Sequence, residues 1–363
     1  MPLTRLVISD FRNLASAELE PTPNGFNLIF GNNGSGKTSL LEAIYYISLG
    51  RSFRSASSDH VIRKTTDKLS IFAQIVLKSQ QVISLGLEKG LKSEFKARME
   101  GKDITSIAEF TRIAPVQLIN SQCYNLIEGG PVFRRKYLDW GTFYQCHDFL
   151  RVWKQFKRVL KQRNVILGRP VLKKELNAWN LELVTVAEEL HQMRYNYVQK
   201  LIPELKNKVQ ELLTYSALEI EYQKGWGSNK EYMEVLNENF ERDCQLGYTQ
   251  YGPHRADLKV TFNSLSAKEI LSRGQQKLFV CAMILTQGEL LHNSMKTKPI
   301  YLVDDLPAEL DKTSRMNLIT LLSKQEAQVF VTAVERGIFD KCSINKPVKL
   351  FHVEHGDLTP LDF

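Results

Sequence analysis

Apolar and polar positions alternate with a period of two at the start of the chain. Leu3 to Ser9 and Ala15 to Glu20 therefore predict strands, and the apolar run Phe26 to Phe30 predicts a buried one. From Ser39 the pattern Ser-Leu-Leu-Glu-Ala-Ile-Tyr-Tyr-Ile predicts a helix. Strand periodicity returns at Ile71 to Lys78, Gln81 to Leu87 and Glu94 to Glu100, punctuated by Lys89-Gly90 and Glu100-Gly101. A short strand, Ala114 to Ile119, ends in a loop at Asn120 to Gln122. Between 131 and 213 glycine is nearly absent and the period becomes helical. Phe149, Val152, Trp153, Phe156, Val159 and Leu160 make one stripe, and Leu172 to Leu213 predicts one or two further helices, kinked or broken at Pro203. Strand-like sequence resumes at Leu218 to Tyr222 and Leu258 to Phe262, and the last hundred residues alternate helix and strand, as a parallel sheet requires. The expected fold class is α/β: a discontinuous lobe of residues 1–130 and 214–363, with a helical lobe of residues 131–213 inserted.

Composition narrows this picture. The 363 residues, 43% of them hydrophobic, can bury two lobes, and the excess of 48 basic over 40 acidic residues points to an anionic partner. Cys123, Cys146, Cys244, Cys281 and Cys342 are scattered and lack a C-x-x-C, which fits reduced thiols in a cytoplasmic protein rather than a disulfide or zinc framework. Neither a signal peptide nor a membrane-length apolar run is expected. The charge is concentrated: residues 131–174 hold twelve Lys or Arg against two Asp. Arg151, Lys154, Arg158 and Lys161 share a helix face, with Lys157 beside them and the aromatic stripe opposite. With no interleaved acids the face repels itself, so it is the expected nucleic-acid contact, with Arg51, Arg54 and Arg63 as a second candidate.

The chemistry sits at Gly31-Asn32-Asn33-Gly34-Ser35-Gly36-Lys37-Thr38, which fits G-x-x-x-x-G-K-[ST]. Glycines let backbone N–H groups approach phosphates, Lys37 supplies a cation, and the Thr38 hydroxyl is suited to Mg²⁺. The predicted strand before it and helix after it complete an anion site at a helix N-terminus. A second apolar run, Pro299 to Val303, ends in Asp304-Asp305. Asp304 fits a Mg²⁺-holding carboxylate, and Asp305 a general base for an attacking water. Ser272-Arg-Gly274-Gln275 opens another predicted helix, where Ser272 suits an N-cap.

Together, the phosphate loop, the Ser-x-Gly-Gln helix start, the Asp-Asp strand and Glu309-Leu-Asp311 resemble an ATP-binding-cassette ATPase. Further motifs are Asp10-Phe-Arg12-Asn13, Gly50-Arg-Ser-Phe-Arg54, Glu128-Gly-Gly-Pro131, Arg134-Arg135, Leu138-Asp139 and Gly252-Pro-His-Arg255. With these the chain is similar to the RecF family, recombination-mediator ATPases related to SMC proteins but without their coiled-coil arms. The resemblance implies an ABC/SMC-type head with an antiparallel β subdomain. It also implies ATP and Mg²⁺ as cofactors, an ATP-dependent homodimer and weak hydrolysis. It implies binding to single-stranded or gapped DNA, and action with RecR and RecO in loading RecA during repair, replication restart and SOS induction. It places Arg12, Asn13, Ser272, Gly274, Gln275 and Asp311 at the nucleotide, the Ser272 helix closing on the γ-phosphate of a second copy.

Some positions depart from the expected pattern. Ser121-Gln122 stands where the family carries Pro-Glu, so Gln122 offers an amide to the γ-phosphate or its water. Asp305 is one methylene shorter than the Glu of more distant relatives, which predicts slow turnover, and Thr332 holds the place of a switch His. A P-loop kinase is the alternative, although it needs no Ser272-Arg-Gly-Gln275.

Overall fold

The computed structural model describes residues 1–55, 57–91, 95–213, 218–227, 229–305, 312–339 and 344–361. In chain order the strands are β1 (Leu3–Phe11), β2 (Leu14–Leu19), β3 (Phe26–Phe30), β4 (Lys68–Val76), β5 (Val82–Gly90), β6 (Phe95–Met99), β7 (Lys102–Asp103) and β8 (Val116–Ile119). They continue as β9 (Leu218–Gln223), β10 (Asp257–Phe262), β11 (Leu265–Ser266), β12 (Ile300–Val303), β13 (Val329–Ala333), β14 (Val348–Glu354) and β15 (Asp357–Leu361).

Two compact units emerge: Met1–Cys123 with Lys296–Phe363, and Tyr124–Met295. In the first, the order β2-β1-β4-β5-β6-β7 makes an antiparallel sheet and β15-β14-β3-β13-β12-β8 a mostly parallel one. Their sequences differ for a physical reason. In β4 burial alternates with residue number, as one-sided packing requires, whereas β12 and β13 are buried at every position, as strands covered on both faces must be. The helix Lys37–Leu49 packs against strands of both sheets, and its Leu40, Leu41, Ile44 and Ile47 join one core with Leu6, Ile8, Ile71, Leu302 and Phe330.

The second unit is built on the helices Pro131–Gln145, Phe149–Leu167, Asn177–Leu212 and Arg273–Met295, with the sheet β11-β10-β9. Leu258, Phe262, Phe279 and Met283 share its core with Leu138, Val198, Leu201 and Leu205. That shared core is why the boundaries fall at 123/124 and 295/296 rather than at the expected 130/131 and 213/214. Pro203 does not break its helix, which runs unbroken from Asn177 to Leu212. The carbonyl deprived of a donor belongs to the exposed Gln199, while the buried Leu201 and Leu205 hold the helix to the core on either side.

Candidate nucleotide site and basic helix

The phosphate loop leaves β3, central in the parallel sheet, and enters the helix Lys37–Leu49. Gly34 and Gly36 have φ of 80° and 125°, and at Gly31 a Cβ would stand 2.2 Å from the Val353 carbonyl oxygen, so glycine is required there. Nothing lies within 4 Å of where a Gly34 Cβ would be, and the buried Ser35 Oγ has no partner among the described residues. An open cradle with an unpaired hydroxyl fits a phosphate group. Asn13 braces the loop: its Nδ2 donates to Gly34 O at 3.2 Å, and its Oδ1 accepts from Ser39 Oγ at 2.7 Å. Lys37 Nζ donates to the carbonyls of Gly31 and Asn32 at 2.8 and 2.9 Å. Burial pushes Lys37 below the usual ammonium range, opposed by the charges of Asp305 and Asp304.

β12 brings its two acids to the same place. Thr38 Oγ1 and Thr332 Oγ1 donate to Asp304 Oδ1 at 2.9 and 2.8 Å, and the Asp305 amide donates to Thr332 Oγ1 at 2.7 Å. Thr332 therefore ties the end of β13 to both carboxylate residues. Burial raises the Asp304 carboxyl above its ordinary value, against the two threonine hydrogen bonds, and the charge of Asp305 adds to the rise. Asp305 is exposed, with its backbone held in the left-handed region at φ 52°. No group of three or more His, Cys, Asp or Glu suited to a metal occurs among the described residues. A hydroxyl and one carboxylate are nonetheless what Mg²⁺ takes from a protein when phosphates and water complete its shell.

A cavity of about 680 Å³ opens here, lined by Arg12, Asn13, Asn33, Lys37, Thr38, Arg54, Asp305 and Thr332 among others. Gln122 does not line it: the residue sits exposed in a short 3-10 turn beyond β8, its backbone N–H donating to Asn120 Oδ1 at 3.1 Å. Asp311 and Glu309 lie outside the described residues. In the second unit, Ser272 and Gln275 form a reciprocal cap at the start of the helix Arg273–Met295. Gln275 N donates to Ser272 Oγ at 3.3 Å and Ser272 N to Gln275 Oε1 at 2.9 Å, with Gly274 between them in the first turn. Ser272 is exposed, so this helix start faces solvent within its unit.

A family model described as "RecF/RecN/SMC N terminal domain" matches residues 2–359. A DNA replication and repair protein RecF from Cellvibrio japonicus is 43% identical over 362 residues, covering 98% of each chain. The protein of the same name from Shewanella loihica is 40% identical over 362 residues, with 100% of each chain covered. The chain belongs to the RecF family. A solved "recombination mediator protein RecF-ATP in RecFOR pathway" shares its fold, with a TM-score of 0.88 at 24% identity over 99% of this chain and 98% of that one. An Smc head bound to the C-winged helix domain of ScpA superposes more loosely, at a TM-score of 0.58 and 14% identity over 100% of this chain and 98% of that one. The fold is that of an ABC/SMC-type ATPase head.

In this RecF-family chain the basic helix Phe149–Leu167 has the expected two faces. Val152, Phe156 and Val159 are buried, while Arg151, Lys154, Lys157, Arg158 and Lys161 are exposed. The expected absence of compensating acids does not hold throughout. Arg151 pairs with Asp148 at 3.4 Å and Glu189 at 3.1 Å, and Arg158 with Glu182 at 3.1 Å. Glu182 and Glu189 belong to the next helix, so a count along one helix misses them. Lys157 lies 5.0 Å from the Trp153 ring centroid, and Lys154 and Lys161 have no acid partner among the described residues.

Sequence reasoning also missed Glu42. It is fully buried on the helix that follows the phosphate loop, and it accepts from Arg12 Nε at 3.0 Å and Arg12 Nη2 at 2.7 Å. Ser52 Oγ donates to the same carboxylate, and Arg54 Nη1 stands 3.6 Å away. Arg12 also donates to His60 O at 2.6 Å. Glu42 thus gathers Arg12 and Arg54 at the cavity wall, which sets Arg54 beside the nucleotide loop rather than on a separate face. Arg51 is exposed and interacts with Tyr45. The signal was present in the sequence: a lone acid among Leu40, Leu41, Ala43 and Ile44 must find a buried cation.

Proposed function

We propose that this chain is an ATP-dependent DNA-binding recombination mediator of the cytoplasm, which dimerises on ATP and hydrolyses it slowly. The observation that carries the nucleotide reading is the knot of Thr38, Asp304, Thr332 and Asp305 beside a glycine-braced phosphate loop. Loop N–H groups and Lys37 would bind the triphosphate, and Thr38 with Asp304 would hold Mg²⁺. Mg²⁺ would neutralise phosphate charge. Water attacks the γ-phosphorus, its proton passes to Asp305, the bridging P–O bond breaks, and ADP and phosphate leave. The exposed Ser272 cap of one copy closes on the γ-phosphate held by another, making ATP part of the dimer contact.

The basic helix, the relatives' name as DNA replication and repair proteins and the solved relative's place in a RecFOR pathway support a DNA role. On this reading the dimer engages single-stranded or gapped duplex DNA and acts with RecR and RecO to promote RecA loading. Sedimentation with and without ATP tests the dimer. The wild type is expected to dimerise only with ATP, Lys37→Ala to lose ATP binding and dimer together, and Ser272→Arg to keep ATP binding without the dimer. An unchanged ATP-dependent dimer in Ser272→Arg would rule out the trans site.

A further inference from the structure

A surface loop of the second unit has its backbone fixed by buried charge and its aromatic side chains left in solvent. Leu246, Tyr248 and Tyr251 are 46%, 39% and 38% exposed, yet Thr249 between them is 1% exposed. The Thr249 amide and hydroxyl donate to Asn164 Oδ1 at 2.9 and 2.7 Å, and Arg163 Nη1 donates to Thr249 Oγ1 at 2.6 Å. Arg163 also donates to Asp243 Oδ2 and to Asn180 Oδ1, each at 2.8 Å. Asp243 Oδ1 accepts from the Gln250 amide at 3.1 Å, His254 Nε2 is 2.9 Å from Thr249 O, and Tyr232 OH donates to Tyr251 O at 2.7 Å. Arg163 and Asp243 are 0% and 1% exposed, and removing such a pair from water is costly. What the network fixes is the presentation of Tyr248 and Tyr251.

The surroundings are cationic. The exposed Arg255 lies 5.8 Å from the Tyr248 ring centroid. Arg163 and Asn164 belong to the helix that carries Lys154 and Lys161, and a Cβ at Gly247 would lie 3.8 Å from the Cα of Gly168, just past that helix's end. Cations along a helix track a phosphate backbone, and rigid exposed aromatics next to them stack unpaired bases. A duplex hides those base faces, so the combination selects single strands.

We infer that Tyr248 and Tyr251 form a base-stacking platform for single-stranded nucleic acid, continuous with the basic helix Phe149–Leu167. This inference rests on the DNA-binding reading above and adds which strand form the second unit recognises.

The test is fluorescence anisotropy of the full chain with ATP on three labelled probes: an oligo-dT, an abasic strand of equal length and a duplex. Tyr248→Ala and Tyr251→Ala are each expected to weaken oligo-dT binding by about tenfold, to leave abasic and duplex binding unchanged, and to keep the salt slope. Tyr→Trp variants should retain binding. Lys154→Glu with Lys161→Glu should weaken all three probes and flatten the salt slope. ATP binding should be unchanged in each, which reports intact folding. Equal losses on oligo-dT and abasic strands, or no loss in either alanine variant, would overturn the platform and leave the DNA-binding reading standing. A wild type that binds no probe would remove that reading itself. Loss of the ATP-dependent dimer in the tyrosine variants would make the loop a contact between copies, and would overturn the platform.

Discussion

Two buried arginine–carboxylate pairs organise the two units, and they are buried in different ways. In the first unit Glu42 is fully enclosed, but the Arg12 side chain is 18% exposed and lines the nucleotide cavity. In the second, Arg163 and Asp243 are sealed at 0% and 1%. The open pair keeps part of its arginine at the cavity, within reach of a ligand. The sealed pair meets only protein, through Asn180 and Thr249, and its output is the shape of the surface loop above it. On the proposed function, buried charge serves recognition in one unit and geometry in the other.

Removing one partner from each pair separates the two roles. Arg163→Ala leaves Asp243 buried without its cation, and it should cost about 3–5 kcal/mol in urea unfolding. Replacing Arg163 and Asp243 together by Met and Leu should restore much of that stability while leaving Tyr248 and Tyr251 more mobile. Glu42→Ala should cost less, about 1–3 kcal/mol, because Arg12 and Arg54 can turn to solvent. Its larger signature should be weakened ATP binding by calorimetry, with Glu42→Gln intermediate. If Glu42→Ala lost stability but kept full ATP affinity, the open pair would be as purely architectural as the sealed one.

The smallest expected effect is a pH slope. Burial, with Arg255, Arg135 and Arg163 nearby, lowers His254 to about 4 from 6.5, so it is neutral in the fold. Between those values the unfolded chain binds the proton and the folded chain does not, and stability falls as pH drops from about 6.5 toward 4. His254→Gln should flatten that slope in urea titrations by up to one proton. A slope unchanged by the substitution would assign the acid sensitivity elsewhere, for example to His191, which burial also lowers to about 4.

What the sequence made legible follows from how local each signal is. Gly31 to Thr38 is one continuous loop, and Asp304 and Asp305 close one apolar strand, so spacing alone locates both. Ser272 and Gln275 cap a helix across three residues, again a local pattern. Glu42 was missed because its partners Arg12, Ser52 and Arg54 flank it at distances no helical period links. Besides the local Asp148, the acids facing Arg151 and Arg158 come from 38 and 24 residues downstream. Of the two outcomes Pro203 allowed, the break does not occur: propensity registers the lost hydrogen bond and not the core contacts of Leu201 and Leu205. The boundary at 295 was hidden because β10 and the helix Arg273–Met295 look like α/β sequence yet pack with the helical core.

The strand order of the parallel sheet also governs how the protein is made. β3, which launches the phosphate loop, has β13 on one side and β14 on the other. Both neighbours are translated about 300 residues later. At roughly 5–20 residues per second, the loop's supporting strand waits on the order of tens of seconds with both edges unpaired. The nascent chain therefore cannot hold a triphosphate until β13 and β14 emerge, whereas the second unit, continuous from Tyr124 to Met295, can fold while those strands are still being synthesised. Nucleotide binding thereby depends on strands made long after the loop they support.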